Sequence, residues 1–256
     1  MMPILTVFVC AGLACGQSFE VTSVKPSPPP GPNGGISRQV HGGPGSSDPG
    51  TVTLTSIDLL SLVTMAYGIN AYQLVGPDWL GTARFDIAAK LPPGTTIEQY
   101  RLMLQSLLAE RFQLAVHHDK KEGRVLELQL AKNGANLKES ASGPAAADDG
   151  SLQPPPGPPT PPRGYHGPLS LVVRNCSMEQ LAARLSGLLG QPVSNATGLN
   201  GRYDIRLQYS LGLETDAAFT SVFDALQEQL GLKLTAKKGI IDLLAIDHIA
   251  RVPTGN

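Results

Sequence analysis

A chain of 256 residues with 41% hydrophobic side chains is long enough to bury one or two cores, which excludes wholesale disorder. A formal net charge of −1 argues against the basic footprint that nucleic acid or an acidic membrane would require. The 28 Gly and 22 Pro gather at 26–50 and 143–168, so those stretches read as connections rather than core.

Residues 1–16 carry no charge and hold an apolar run from Ile4 to Ala14 that is too short to span a bilayer, the pattern of an export signal. Ala14-Cys15-Gly16 suits cleavage before Gln17, while Leu13-Ala14-Cys15 fits a lipoprotein site that would keep Cys15 as a lipidated N-terminus. Both readings predict a secreted or periplasmic protein without a transmembrane span after signal removal. Conventional cleavage would leave Cys176 alone, with no internal disulfide framework, and nothing basic beside it to activate the thiol.

Residues 17–50 begin with an alternating strand, Ser18 to Val24, expected at a sheet edge. From Pro26 to Gly50 the Pro and Gly clusters predict an exposed loop with no regular element, holding a solvated His41. A first α+β module is expected over 51–133. Thr51–Thr55 reads as a strand, Ser56 as the cap of a helix from Ile57, and Trp79 follows the turn Gly76-Pro77-Asp78. In Arg84–Lys90, Phe85, Ile87 and Ala89 face one way and Arg84 and Asp86 the other. A capping box at Thr96–Gln99 opens the next helix, and residues 112–130 predict a hairpin turning at Lys120–Gly123.

Residues 134–168, centred on Gln153–Pro159, read as a semi-rigid linker. A second module over 169–253 replays the first. Leu169–Val173 is its opening strand and Ser177 its helix cap; Arg202-Tyr203-Asp204-Ile205 repeats Arg84-Phe85-Asp86-Ile87 after 118 residues. The spacing then holds through Leu108/Leu226 and Val116/Leu234, whereas Ser56 and Ser177 are 121 apart. Phe219, Val222, Phe223, Leu226 and Leu230 predict one helical stripe, and Lys237-Lys238-Gly239 a closing hairpin. The fold class expected is α+β: two tandem copies of a small module, each with two helices packed on one small mixed sheet, joined by the Pro-rich linker.

The phrases Phe19–Ser27, Gly76–Leu80, Arg84–Lys90, Leu107–Phe112 and Gly198–Asp204 together resemble the soil-associated family of secreted bacterial proteins, a domain of unknown function. That resemblance implies no activity, cofactor or catalytic residue; related domains behind antirepressor-type membrane peptidases hint at extracytoplasmic sensing. Each half is also similar to the short N-terminal domain of secretins and TonB-dependent transducers, small periplasmic interaction modules, although no pore or barrel sequence follows it here.

No phosphate loop, Gly-x-Ser-x-Gly elbow, Cys-x-x-Cys or metal-spaced histidine set occurs, so no catalytic residue, metal or cofactor is assigned. His117 and His118 should point to opposite faces. Arg84 with Asp86, and Arg202 with Asp204, should form exposed ion pairs that help fix register, each worth about 0 to 1 kcal/mol. With Trp79 these four are the candidate ligand or partner surface. The expected function is non-catalytic binding of an envelope protein, peptide or small ligand, with no nucleic acid; the alternative is an extracytoplasmic hydrolase with its site between the modules.

Overall fold

Alternation and capping dictate most of the elements. The computed structural model describes residues 18–28, 38–140, 169–209 and 221–255. Residues 1–16, expected above to be an export signal, most of the Pro-rich segment, His166 and Phe219 lie outside the described residues.

The first sheet has the order β1 (Val21–Pro26), β5 (Arg84–Lys90), β3 (Thr51–Asp58), β2 (Gln39–Gly42), all antiparallel. β1 lies at the expected edge. β2 corrects the reading of 26–50 as wholly irregular, since Gln39–Gly42 avoids the Pro and Gly clusters and can complete a ladder. Helices α1 (Leu59–Tyr67) and α2 (Ile97–Phe112) pack on this sheet. Leu54, Ile57, Leu62, Ile87, Leu104 and Leu108 fill the core between them, and Phe85 meets Phe112 edge to face at 4.9 Å. Asp58, not Ser56, caps α1, accepting the Ser61 N–H at 2.8 Å. With Asp58 as the counterpart of Ser177 the caps are 119 residues apart, nearly the spacing of the repeat.

The other sheet of this kind has the order β7 (Lys138–Glu139), β10 (Tyr203–Tyr209), β8 (Leu169–Cys176), so the start of segment 134–168 is sheet. Helices α3 (Met178–Leu189) and α4 (Val222–Leu230) cover it around Leu171, Leu181, Leu185, Ile205, Leu207 and Leu226. In α4 the inward residues are Val222, Ala225, Leu226 and Leu230, and Phe223 is 40% exposed. Of the expected stripe Phe219, Val222, Phe223, Leu226 and Leu230, the structure buries Val222, Leu226 and Leu230; Phe223 stands at the edge of that face, and Ala225 takes the inward place.

The two expected local hairpins do not form. β6 (Ala115–Leu130) runs straight through Lys120–Gly123 and pairs antiparallel with an equally unbroken β11 (Leu232–His248). Gly123 lies opposite Gly239, and at each a Cβ would strike the neighbouring strand, Ile241 Cδ1 in one case and Val125 Cγ2 in the other. Each long strand thus gives one end to each core: Leu244 of β11 is buried with the first cluster, Leu128 of β6 with the second. β4 (Leu74–Val75) pairs in parallel with Leu244–Ala245, and β9 (Val193–Asn195) with Leu126–Leu128. The ends are tied reciprocally too. Ala250 N–H donates to Phe112 O at the close of α2, and Ala131 N–H to Gly231 O at the close of α4.

Candidate functional site

The repeated Arg-aromatic-Asp-Ile phrase sits where each middle strand faces a bulge. Between Leu54↔Ile87 and Ile57↔Phe85, two residues of β3 oppose the single Asp86, and Ser56 takes the left-handed conformation at φ 53°. Between Val173↔Ile205 and Cys176↔Tyr203, two residues of β8 oppose Asp204, and Asn175 stands at φ 51°. Asp86 Oδ1 accepts the Ser56 N–H at 2.8 Å and the Ser27 hydroxyl at 2.6 Å. Asp204 Oδ1 accepts the Asn175 N–H at 3.0 Å and the Ser140 hydroxyl at 2.6 Å. The arginines take the bulge carbonyls, Arg84 Nη1 donating to Ser56 O at 3.0 Å and Arg202 Nη1 to Asn175 O at 2.7 Å.

These contacts replace the ion pair expected within each phrase. Arg84 instead lies 3.7 Å from Asp58. Together the arginine and aspartate satisfy both backbone groups that the bulge removes from the ladder, and the serine ties in the edge strand beyond. The signal that could have found this is Lys-x-Ser, Lys25-Pro26-Ser27 and Lys138-Glu139-Ser140, whose lysines sit in register with Asp86 and Asp204.

What distinguishes the two sheets is charge on the face away from the helices. On the first, Thr53, Thr55 and Ala88 accompany Lys25 and Asp86. On the second, the corresponding places hold Val172, Arg174 and Arg206, beside Lys138 and Asp204, and the three cations are exposed. The Ser140 hydroxyl and the Asn175 N–H, helped by Lys138 and Arg174, hold the Asp204 carboxyl below its usual range. An anionic Asp204 occupied by its own strand neighbours leaves this face with an excess of positive charge. Arg174, Arg206 and Lys138 lie outside the repeated phrase, so nothing in the sequence singles them out as a site.

The remaining candidates disperse. Trp79 is half-buried against the first core with the Arg251 guanidinium 5.8 Å from its ring, remote in the fold from the second sheet's charged face. His117 Nδ1 is 2.8 Å from Asp247 Oδ1, both exposed on the two-stranded ribbon that β6 and β11 form. A shallow cleft of about 530 Å³ at the ribbon centre is lined by Glu122, Arg124, Lys237 and Lys238. Beside it Lys237 donates to Glu127 at 2.9 Å, which lowers the Glu127 carboxyl and raises the lysine. The Cys176 thiol is buried and pushed up by that burial. Among the described residues no group of three His, Cys, Asp or Glu could hold a metal ion, and no helix is long and apolar enough to cross a membrane.

A family model described as protein of unknown function (DUF3738) matches residues 60–249. No curated protein and no solved structure matches the chain.

Proposed function

The chain belongs to the DUF3738 family of proteins of unknown function, and on that premise we propose that it is a non-catalytic binding protein of the bacterial envelope, secreted or periplasmic. It is built from two copies of one α+β module, joined through the Pro-rich segment and locked by exchange of their closing strands. In support, β4 and β9 meet the ribbon in the same way, each on the strand end supplied by the other half. A duplicated scaffold of this kind keeps one copy for rigidity and frees the other to vary its surface.

The observation that carries the binding reading is the pair Arg174 and Arg206, exposed beside Lys138 on the second sheet where the first carries Thr55 and Ala88 beside Lys25. Its anionic neighbour is already bound within the fold. Such a face suits an acidic protein, peptide or small ligand of the envelope. The test is capture from envelope extracts with the full mature chain, comparing wild type with Arg174→Ser/Arg206→Ala. Capture that the double variant loses supports the reading. Turnover of an envelope substrate that is abolished by substitutions at the ribbon cleft would overturn it in favour of a hydrolase.

A further inference from the structure

The two sheets end differently. The first closes on β2, whose Val40 lies opposite Leu54 and packs on the core. The second closes on β8 itself: among the described residues no strand pairs with its outer side. The residue corresponding to Leu54 is Val173, which is half-buried where Leu54 is fully buried, and Val172 beside it is 54% exposed. An edge of this length with alternating apolar side chains and no blocking proline or bulge over Leu169–Val173 is a template for one more strand.

We propose that the outer edge of β8, at Leu171–Arg174, takes up an extended acidic segment of a partner protein as an added antiparallel strand. The inference rests on the binding reading above and names its partner. The place of β2 on the first sheet defines the pose. An apolar side chain opposite Val173 covers the core as Val40 does opposite Leu54, and the positions on either side of it, opposite Arg174 and Val172, lie on the face that carries Arg174, Arg206 and Lys138. Carboxylates there complement the cations. A second copy of this chain fits less well, since edge-to-edge pairing would bring the same arginines together from both sides. The chain's own stretch just before β8 is also unsuited, because Pro154, Pro155, Pro156, Pro158, Pro159, Pro161 and Pro162 lack the N–H that a ladder needs.

The experiment uses the full mature chain with a labelled peptide alternating valine and glutamate, and its lysine counterpart as control. Fluorescence anisotropy should show binding of the acidic peptide only, weakened roughly tenfold or more by Arg174→Glu. Thr55→Glu, the corresponding change beside an edge already covered by β2, should leave it unchanged. Hydrogen exchange should slow at the outward-directed amides within residues 171–174, those not bonded to β10, when the acidic peptide is added. The proposal is overturned if both peptides bind alike, if protection appears elsewhere, or if those amides are already protected in the free monomer. It is equally overturned if protection grows with protein concentration alone, which would make a second copy the occupant. Failure here with Arg174- and Arg206-dependent capture from extracts intact would sink the edge and spare the binding reading; loss of both would sink both.

Discussion

The clamp on the first bulge can be tested by removing its acceptor. Asp86→Ala leaves the Ser56 N–H, fixed in a left-handed conformation, and the Ser27 hydroxyl without the carboxylate that accepts them at 2.8 and 2.6 Å. A hydrogen bond to a charged group contributes about 1.5 to 3 kcal/mol. Ser27 can turn to water at this half-buried site, so the loss should be dominated by the backbone amide, for a total of about 2 to 4 kcal/mol. Asp86→Asn keeps an acceptor oxygen and should cost about 1 kcal/mol. Arg84→Ala releases the Ser56 carbonyl, and because both side chains hold one residue, the double variant should cost less than the two single losses together. Urea titration of the full chain followed by circular dichroism reads these as shifts in midpoint at constant slope. The reasoning is refuted if Asp86→Ala costs under about 0.5 kcal/mol, the value expected of an ordinary surface charge.

Other substitutions probe the rest of the fold. Leu226→Ala should destabilise by about 2 to 5 kcal/mol in the same titration. Phe223→Ala, 40% exposed, should cost under about 1 kcal/mol; equal losses would mean that the face of α4 is misassigned. Gly190→Ala and Gly231→Ala both place a side chain at positive φ, costing about 1 kcal/mol by that strain alone. Only at Gly231 would the new Cβ also strike backbone, the Gly134 carbonyl, so thermal melts should show the larger drop there. The lowered Asp204 carboxyl gives stability that is present above its unfolded pKa and lost as pH falls through its depressed folded value. Asp204→Asn should therefore flatten the acid side of a stability-against-pH profile; an unchanged slope would remove Asp204 from the clamp.

The elements were legible in the sequence wherever their determinants are local. Thr96-x-x-Gln99 and Ser177-x-x-Gln180 form the capping boxes their spacing requires, and Gly68, Gly190 and Gly231 end helices in the left-handed conformation that glycine tolerates best. The hairpins were not legible. Lys-Lys-Glu-Gly and Lys-Lys-Gly are adequate turns, and alternation in Val125–Leu130 fits a return strand just as well when its partner is Leu232–Lys237. Leu126 and Leu244 are 118 residues apart and suit each other's places. Period-2 patterning fixes which face of a strand is buried; between two interchangeable partners it is silent. Exchange also makes the two cores interdependent. Removing β11 would take Leu244 from the first cluster and leave the 16-residue β6 paired only with the three residues of β9, so the two cores depend on one another.

The repeated phrase misled for a different reason. Two residues apart on a strand, Arg84 and Asp86 share a face, and a pair of opposite charges there invites an ion-pair reading. Their actual partners are the amide and carbonyl of Ser56 and Asn175, 28 to 30 residues away from Arg84 and Asp86 and 27 to 29 from Arg202 and Asp204. A bulge residue at positive φ leaves no strong mark in sequence when it is serine or asparagine rather than glycine. With the repeated phrase acting as a clamp on each sheet, and on the two-module reading proposed above, the residues that the halves share are accounted for by the fold and say nothing of binding. Function then has to be sought where the halves differ. They differ in the arginines at 174 and 206, in the valine at 172, and in a sheet edge that β2 covers in one half and no described strand covers in the other. All of these lie on one strand and its neighbour, β8 and β10, and that convergence is why the open edge and the charged face are assigned to a single partner.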